Sequence, residues 1–248
     1  MDLRAPLALF GVPLVVRVNL YVLESAEGLY LVDCGPFAAF SHVRALLARA
    51  FPSRRLRRVY LTHSHFDHGG AGLRCVNDGV EVWAASGERS MASAGGPTGV
   101  PQAFRYPPFV PTNWIVDGDR VPLRESCLTA IVTPGHTPGS LALYDEASGV
   151  LLCGDLLLGP LRGYAVTLLL AVLTALRQPG EEVRRHIESL SCVRRQLEGR
   201  RNVLVLPGHG APYHLKDRPG AFARSERLLR LALMLKRPFL PFGSGRAC

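Results

Sequence analysis

Six positions of the stretch LTHSHFDHGG carry three histidines and an aspartate: His63, His65, Asp67 and His68. Neutral imidazole and carboxylate are ligands for zinc, iron or manganese, and the absence of cysteine among them excludes a closed all-thiolate site. If the run before them is a strand, alternation points His63 and His65 the same way, while Asp67 and His68, adjacent in sequence, diverge toward a second point. That spacing suits two metal ions better than one. The competing reading is a surface loop that happens to be rich in histidine.

Four residues cannot complete two sites, so further ligands are expected at other strand ends. His136 stands in IVTPGHTPGS, Asp155 in VLLCGDLLL and His209 in VLVLPGHGAP. Each follows an apolar run and sits beside glycine, which lets backbone approach closely. Taken singly, each reads more readily as structural. Three in the same context, after a cluster that needs partners, read as ligands.

The elements that must carry these residues are visible as short apolar runs bounded by turn residues. Strands are predicted over residues 14–23, 29–32, 58–61, 80–84, 128–132, 141–144, 150–153 and 203–206. After Gly35, apolar spacing of three and four predicts a helix between the second and third strands. The segment PGEEVRRHIESLSCVRRQLEG has proline near its start, acids in its first turn and glycine at its end, so it reads as a helix. A last amphipathic helix is expected over about 219–236. Residues 86–111, rich in Gly and Pro, read as a helix start followed by a long loop. Runs of strands with helices between and after them suggest two sheets face to face with helices outside. We expect one domain over residues 1–248, with a helical insertion at about 156–200.

Composition agrees with a globular protein: of 248 residues, 48% are hydrophobic and 20% charged, enough chain to bury a substantial core. The net charge of +9 is arginine charge, since only Lys216 and Lys236 are lysines. A positive field favours anionic partners such as nucleic acid. The arginines are scattered, however, and lack interleaved aromatics, which favours a solvated face. Six cysteines without C-x-x-C spacing, and no signal-peptide pattern before them, point to the cytoplasm and to thiols used as small core residues. The apolar N-terminus is broken by Pro6, Pro13 and Arg17, so no membrane span is expected there.

The fragments THSHFDHGG, PGHTPGS, CGD and PGHG, in this order and at these separations, closely resemble the metallo-β-lactamase superfamily, and the resemblance covers nearly the whole chain. It implies an α+β fold, a four-layer αβ/βα sandwich with the site at one edge of the two sheets. By position, His63, His65 and His136 would bind a first metal, and Asp67, His68 and His209 a second, with Asp155 bridging both. YLVDCG matches the strand-end Asp-x-Gly of the family, which makes Asp33 a residue that orients ligands. Two divalent ions, zinc first with iron and manganese compatible, imply hydrolysis by a shared hydroxide, with Asp67 orienting it and accepting its proton.

Departures narrow the choice. Zinc β-lactamases of this superfamily place no carboxylate where Asp155 stands, and Cys153 is two residues too early to replace it. HSHFDH lacks the H-x-E-x-D of flavodiiron proteins, and the chain is too short for a β-CASP insertion. Glyoxalase II shares the first motif, but GHGAP lacks its usual Gly-His-Glu and no cationic C-terminal glutathione site is evident. The expected activity is therefore hydrolysis of a small-molecule ester, thioester or lactone. An RNA or phosphodiester nuclease, a persulfide dioxygenase with one iron and a non-catalytic binding module are the alternatives.

The apolar segment 156–176 directly follows Asp155, and Gly159, Pro160 and Arg162 exclude a membrane span. It reads as a buried helix or the contact of a homodimer; alternatively it is an apolar lid over the metals, which would favour acyl or other hydrophobic substrates. On the lid reading Tyr164 donates a hydrogen bond to the substrate's oxygen. His214 is a candidate for the pocket rim, and His42 and His186 read as structural or exposed.

Overall fold

The computed structural model describes residues 2–9, 12–25, 27–97, 102–123, 126–160, 176, 178–200 and 202–236, without the side chains of 2–16, 103 and 126. Strands β1 (Asp2–Leu9) and β2 (Val12–Asn19) form an antiparallel hairpin. A five-stranded sheet runs in chain order through β3 (Tyr21–Ser25), β4 (Gly28–Val32), β5 (Leu56–Leu61), β6 (Glu81–Ala85) and β7 (Asn113–Ile115). Its first pair is antiparallel and the others parallel. A six-stranded sheet contains β8 (Arg120–Leu123), β9 (Ser126–Val132), β10 (Leu141–Asp145), β11 (Val150–Gly154), β12 (Leu204–Pro207) and β13 (Tyr213–His214), again in chain order. There only β11 and β12 are parallel.

Side-chain alternation along each strand sorts the core into layers. In β4 and β5, Tyr30, Val32 and Tyr60 face the second sheet, meeting Leu128, Ala130, Leu141, Leu143 and Leu152. Their sequence neighbours Leu29, Leu31, Val59 and Leu61 face outward, onto Phe40 and Val43 of α1 (Phe40–Ala50) and Cys75 of α2 (Gly72–Asn77). On the other side Ala142, Leu151, Cys153 and Val205 pack against Val183, Ile187 and Leu190 of α4 (Gly180–Gln196) and Phe222 and Leu229 of α5 (Ala221–Leu235). A short α3 (Arg89–Ala94) follows β6. The result is four layers, helix–sheet–sheet–helix. Each fully buried leucine in them contributes roughly 1.5–3 kcal/mol relative to exposure.

The expected strand over 14–23 is divided in two at Leu20. Asn19 turns its side chain out of register to donate to the carbonyls of Pro207 and Gly210, which ends β2 and starts β3 in another sheet. The helix after Gly35 begins at Phe40, behind a single 3-10 turn at Phe37–Ala39. Within the expected insertion at 156–200, α4 is present and residues 161–175 lie outside the described residues. Among the described residues no helix is long and apolar enough to cross a membrane.

Strand direction decides where side chains gather. Strands β4 and β5 are mutually parallel, and β9, β11 and β12 run the same way as one another because β10 is antiparallel to both β9 and β11. Asp33 follows β4, His63 follows β5, His136 follows β9, Asp155 follows β11 and His209 follows β12. Their meeting puts the C-terminal ends of both sets at one edge.

Candidate metal centre

At that edge three sets of ligand atoms converge, each within 4.8 Å of one another: His63, His65 and His136; Asp67, His68 and His209; and His63, His68 and Asp155. In the first, His65 Nδ1 lies 3.1 Å from His63 Nε2 and 3.0 Å from His136 Nε2. In the second, His209 Nε2 is 3.3 Å from His68 Nε2 and 3.4 Å from Asp67 Oδ2. Asp155 stands between them: its Oδ2 is 3.3 Å from His136 Nε2, and its Oδ1 is 3.4 Å from His68 Nε2. All seven candidate ligands are thus brought together.

The rings are aimed from behind. Thr62 Oγ1 donates to Asp33 and so must accept from His63 Nδ1–H, 3.0 Å away, leaving Nε2 facing the cluster. His68 Nδ1–H donates to Asp33 Oδ2 at 2.7 Å, and His209 Nδ1–H to the carbonyl of Arg17. Each outer nitrogen is committed, so each inner one is presented as a lone pair or a displaceable proton. Asp33 itself has φ of 63°, a left-handed conformation that aspartate tolerates better than most residues. It is buried and accepts from the backbone N–H and hydroxyl of Thr62 as well.

Three further braces hold the loops. Glu88, fully buried just after β6, accepts from Ser64 N–H at 2.7 Å, Thr137 Oγ1 at 2.6 Å and Gly139 N–H at 2.8 Å, tying the first histidine loop to the loop of His136. Tyr106 donates to the carbonyl of Ser64, and Asn19 fixes the loop of His209. Gly208 is required here: a Cβ on it would lie 2.5 Å from His68 Cε1 and 2.6 Å from Asp155 Oδ1. None of Glu88, Tyr106 or Asn19 stood out in the sequence. For Glu88 the available signal was its place at a strand end on the same edge as Asp33 and His63.

Electrostatics divides the cluster. Burial, then repulsion from His68, His65 and His136, holds His63 well below the ordinary histidine value, and burial with His136 brings His65 to about 3. Burial also opposes charge on His68, but Asp155, Asp33 and Asp67 outweigh it and push the ring up to about 9. His209 rises for the same reason, through Asp155 and Asp67. Against the cost of burial, His68 and His209 keep Asp67 and Asp155 below the usual carboxylate range. Among the described residues Asp155 Oδ1 is nevertheless buried without a hydrogen-bond partner. A buried, ionised oxygen without a donor costs free energy unless a cation meets it, so the donor set fits divalent metal.

Of the remaining sequence candidates, His214 is not brought to this edge. It pairs with Leu204 at the start of β12, whereas His209 follows that strand's other end. Tyr164 lies outside the described residues. His186 is buried rather than exposed, its ring centroid 6.1 Å from that of His136 and its Nε2 facing the carbonyl of Leu156.

A family model for the metallo-β-lactamase superfamily matches residues 14–209, the stretch that carries every one of these candidate ligands. The chain belongs to the metallo-β-lactamase superfamily. Among relatives of this superfamily, a hydroxyacylglutathione hydrolase of Thermosynechococcus vestitus is 32% identical over 42% of this chain and 36% of its own length. The acyl-coenzyme A thioesterase MBLAC2 of Bos taurus is 27% identical over 56% of this chain and 58% of its own. The chain therefore spans about a third to three-fifths of these curated relatives. A metallo-β-lactamase family protein from Thermus thermophilus has the same fold, with a TM-score of 0.65 at 24% identity over 93% of this chain and 79% of that one.

Proposed function

We propose that the protein is a binuclear metal-dependent hydrolase of small-molecule thioesters or esters. The observation that carries the reading is Asp155, whose carboxylate reaches both triads: Oδ2 lies 3.3 Å from His136 Nε2 and 3.5 Å from His209 Nε2, and Oδ1 lies 3.4 Å from His68 Nε2. His63, His65 and His136 would hold one divalent cation, and Asp67, His68 and His209 the other, with Asp155 shared. Zinc suits these donors, and iron and manganese are compatible with them. Two cations so held would supply a hydroxide at neutral pH and polarise an acyl carbonyl.

What the chain's own groups contribute follows from their placement. Asp67 is ionised and buried against His209, so its carboxylate can orient the attacking water and hold the proton it loses. Asp33, Thr62 and the Arg17 carbonyl fix the ring orientations, which limits reorganisation during the reaction. In thioester hydrolysis a C–O bond forms at the acyl carbon and the C–S bond breaks, giving a carboxylic acid and a thiol without any oxidant. The relatives named for thioester hydrolysis support that substrate class over lactones.

The test is hydrolysis of chromogenic thioesters and esters by purified protein whose metal content has been measured. Turnover that chelation abolishes and metal restores is the expected result. A protein with two metals per chain that cleaves neither substrate would overturn the reading.

A further inference from the structure

Beside the ligand cluster lies a cavity of about 150 Å³ with His136 and Asp155 in its wall. Leu156 and Leu158, which follow β11, form one side of it, and Leu228, Leu229, Ala232 and Leu235 of α5 form the other. The α5 residues recur at intervals of three and four, a single helix stripe. Leu228 and Leu235 remain 50% and 66% exposed, so the helix offers its apolar stripe to the cavity without closing it. The polar groups nearby are largely engaged: Gln178 donates its amide to the carbonyls of Gly135 and His136, and His186 faces the carbonyl of Leu156.

We infer that this cavity is the subsite for a saturated acyl chain of about six carbons, the acyl half of the substrate whose hydrolysis is proposed above. The inference rests on that reading. Size decides how much of a substrate enters. A leucine-lined cavity of roughly 150 Å³ accepts a group of benzene size, whereas a whole drug-sized ligand needs at least roughly 300 Å³. Only the acyl group fits, with its carbonyl carbon beside Asp155 and the thiol portion left outside. A chain end bearing a charge would lose its water partners here and, among the described residues of the stripe, meet only the Ser225 side chain as a polar replacement.

The experiment compares the metal-loaded protein on 4-nitrothiophenyl thioesters of acetic, butyric, hexanoic and octanoic acids, which share one leaving group. Each methylene buried in the cavity is worth about a fourfold gain, so kcat/KM should rise on the order of a hundredfold from acetyl to hexanoyl and then level off. Rates that are flat or greatest for acetyl overturn the subsite while leaving the hydrolase intact. If no member is hydrolysed, the proposed reaction falls, and binding decides the subsite on its own: hexanoate should raise the thermal midpoint more than acetate does, and equal shifts overturn it. Ala232→Phe, which fills the cavity, should erase most of the hexanoyl-to-acetyl ratio. Because Ala232 is buried, Leu228→Asp at a half-exposed position provides a second variant with the same expected loss. An unaltered ratio in a folded Leu228→Asp protein, together with dissociation of a dimer, would assign the stripe to a second copy of the chain instead.

Discussion

The two candidate ligand triads share one sheet edge and differ in charge. His63, His65 and His136 are imidazoles alone, and burial with mutual repulsion keeps His63 and His65 neutral. Asp67, His68 and His209 sit among carboxylates, and there burial loses to attraction, so His68 and His209 hold protons at neutral pH. The same side chain is thus a ready lone pair at one triad and a guarded one at the other, a few ångströms away. A cation entering the first triad meets free donors. One entering the second must displace protons before it is bound.

Removing the group common to both triads should erase the contrast. Asp155→Ala takes away the carboxylate that raises His68 and His209 and that reaches His136. Metal content measured by elemental mass spectrometry should fall from two toward one per chain, and kcat/KM should drop by more than the ten- to a hundredfold typical of changes one layer behind a metal. Two metals retained with undiminished turnover would mean that Asp155 is no bridge.

A gentler change tests the second triad alone. Asp33→Asn keeps the left-handed backbone at φ 63°, which asparagine also adopts, but loses the charge that His68 Nδ1–H meets at 2.7 Å. Affinity for the second metal should weaken by about ten- to a hundredfold, while the first, which Asp33 reaches only through Thr62, changes less. Competition with a chromogenic chelator resolves the two constants, and equal weakening of both would show that the triads are not independent.

Acidity offers a third handle. Below about pH 9 each cation bound at the second triad must release the His68 proton and, where it is still held, the His209 proton, so affinity there should climb by more than about tenfold per pH unit between pH 6.5 and 8.5. The first triad, with His65 near 3 and His63 well below its ordinary value, should show a much flatter profile. Stability without metal runs the other way. The folded His68 titrates above its unfolded value of 6.5, so its contribution is complete below pH 6.5 and fades as pH rises toward 9. Chelated protein should melt earlier at pH 8.5 than at 6.5, and loaded protein should not.

How much of this was legible differs between ligands and braces. Histidine and aspartate at strand ends announce themselves because apolar runs mark the strands and the residue types have few other reasons to cluster. The braces carry no local pattern. Glu88 matters because donors from positions 64, 137 and 139 converge on it, a fact created by tertiary packing. The run RRLRR reads as a solvated face, yet Arg54 and Arg57 donate to the carbonyls of Ser25 and Glu27, and Arg58 lies over the rings of Tyr30 and Trp83 while pairing with Glu81. Strands β7, β8 and β13, two to four residues long, are too short to display alternation at all.

Glu88 itself yields a smaller effect of a different kind. Glu88→Gln preserves shape but exchanges a charged acceptor of three hydrogen bonds for a neutral amide whose NH₂ faces a donor. Hydrogen bonds to charged groups are worth about 1.5–3 kcal/mol each, so urea unfolding should reveal a loss of at least that order. Because Glu88 ties the Ser64 loop to the Thr137 loop, both triads should weaken together, the reverse of Asp33→Asn. Selective loss at one triad would contradict the bracing role.

The smallest effect is expected at His214, five residues after His209 in sequence and remote from it in the sheet. The chain passes His209, turns, and comes back as β13, so that Tyr213 pairs with Val205 and His214 with Leu204. Its backbone serves the ladder, and no candidate ligand lies among its partners there. His214→Ala keeps those backbone bonds and should change stability by no more than about 0.5 kcal/mol, with metal content and the acyl-chain profile as in the unmodified protein. A drop in second-metal affinity would require the β12–β13 turn to transmit strain to His209. It would then make the second triad sensitive to the whole returning strand, whereas the first rests on loops held by Glu88.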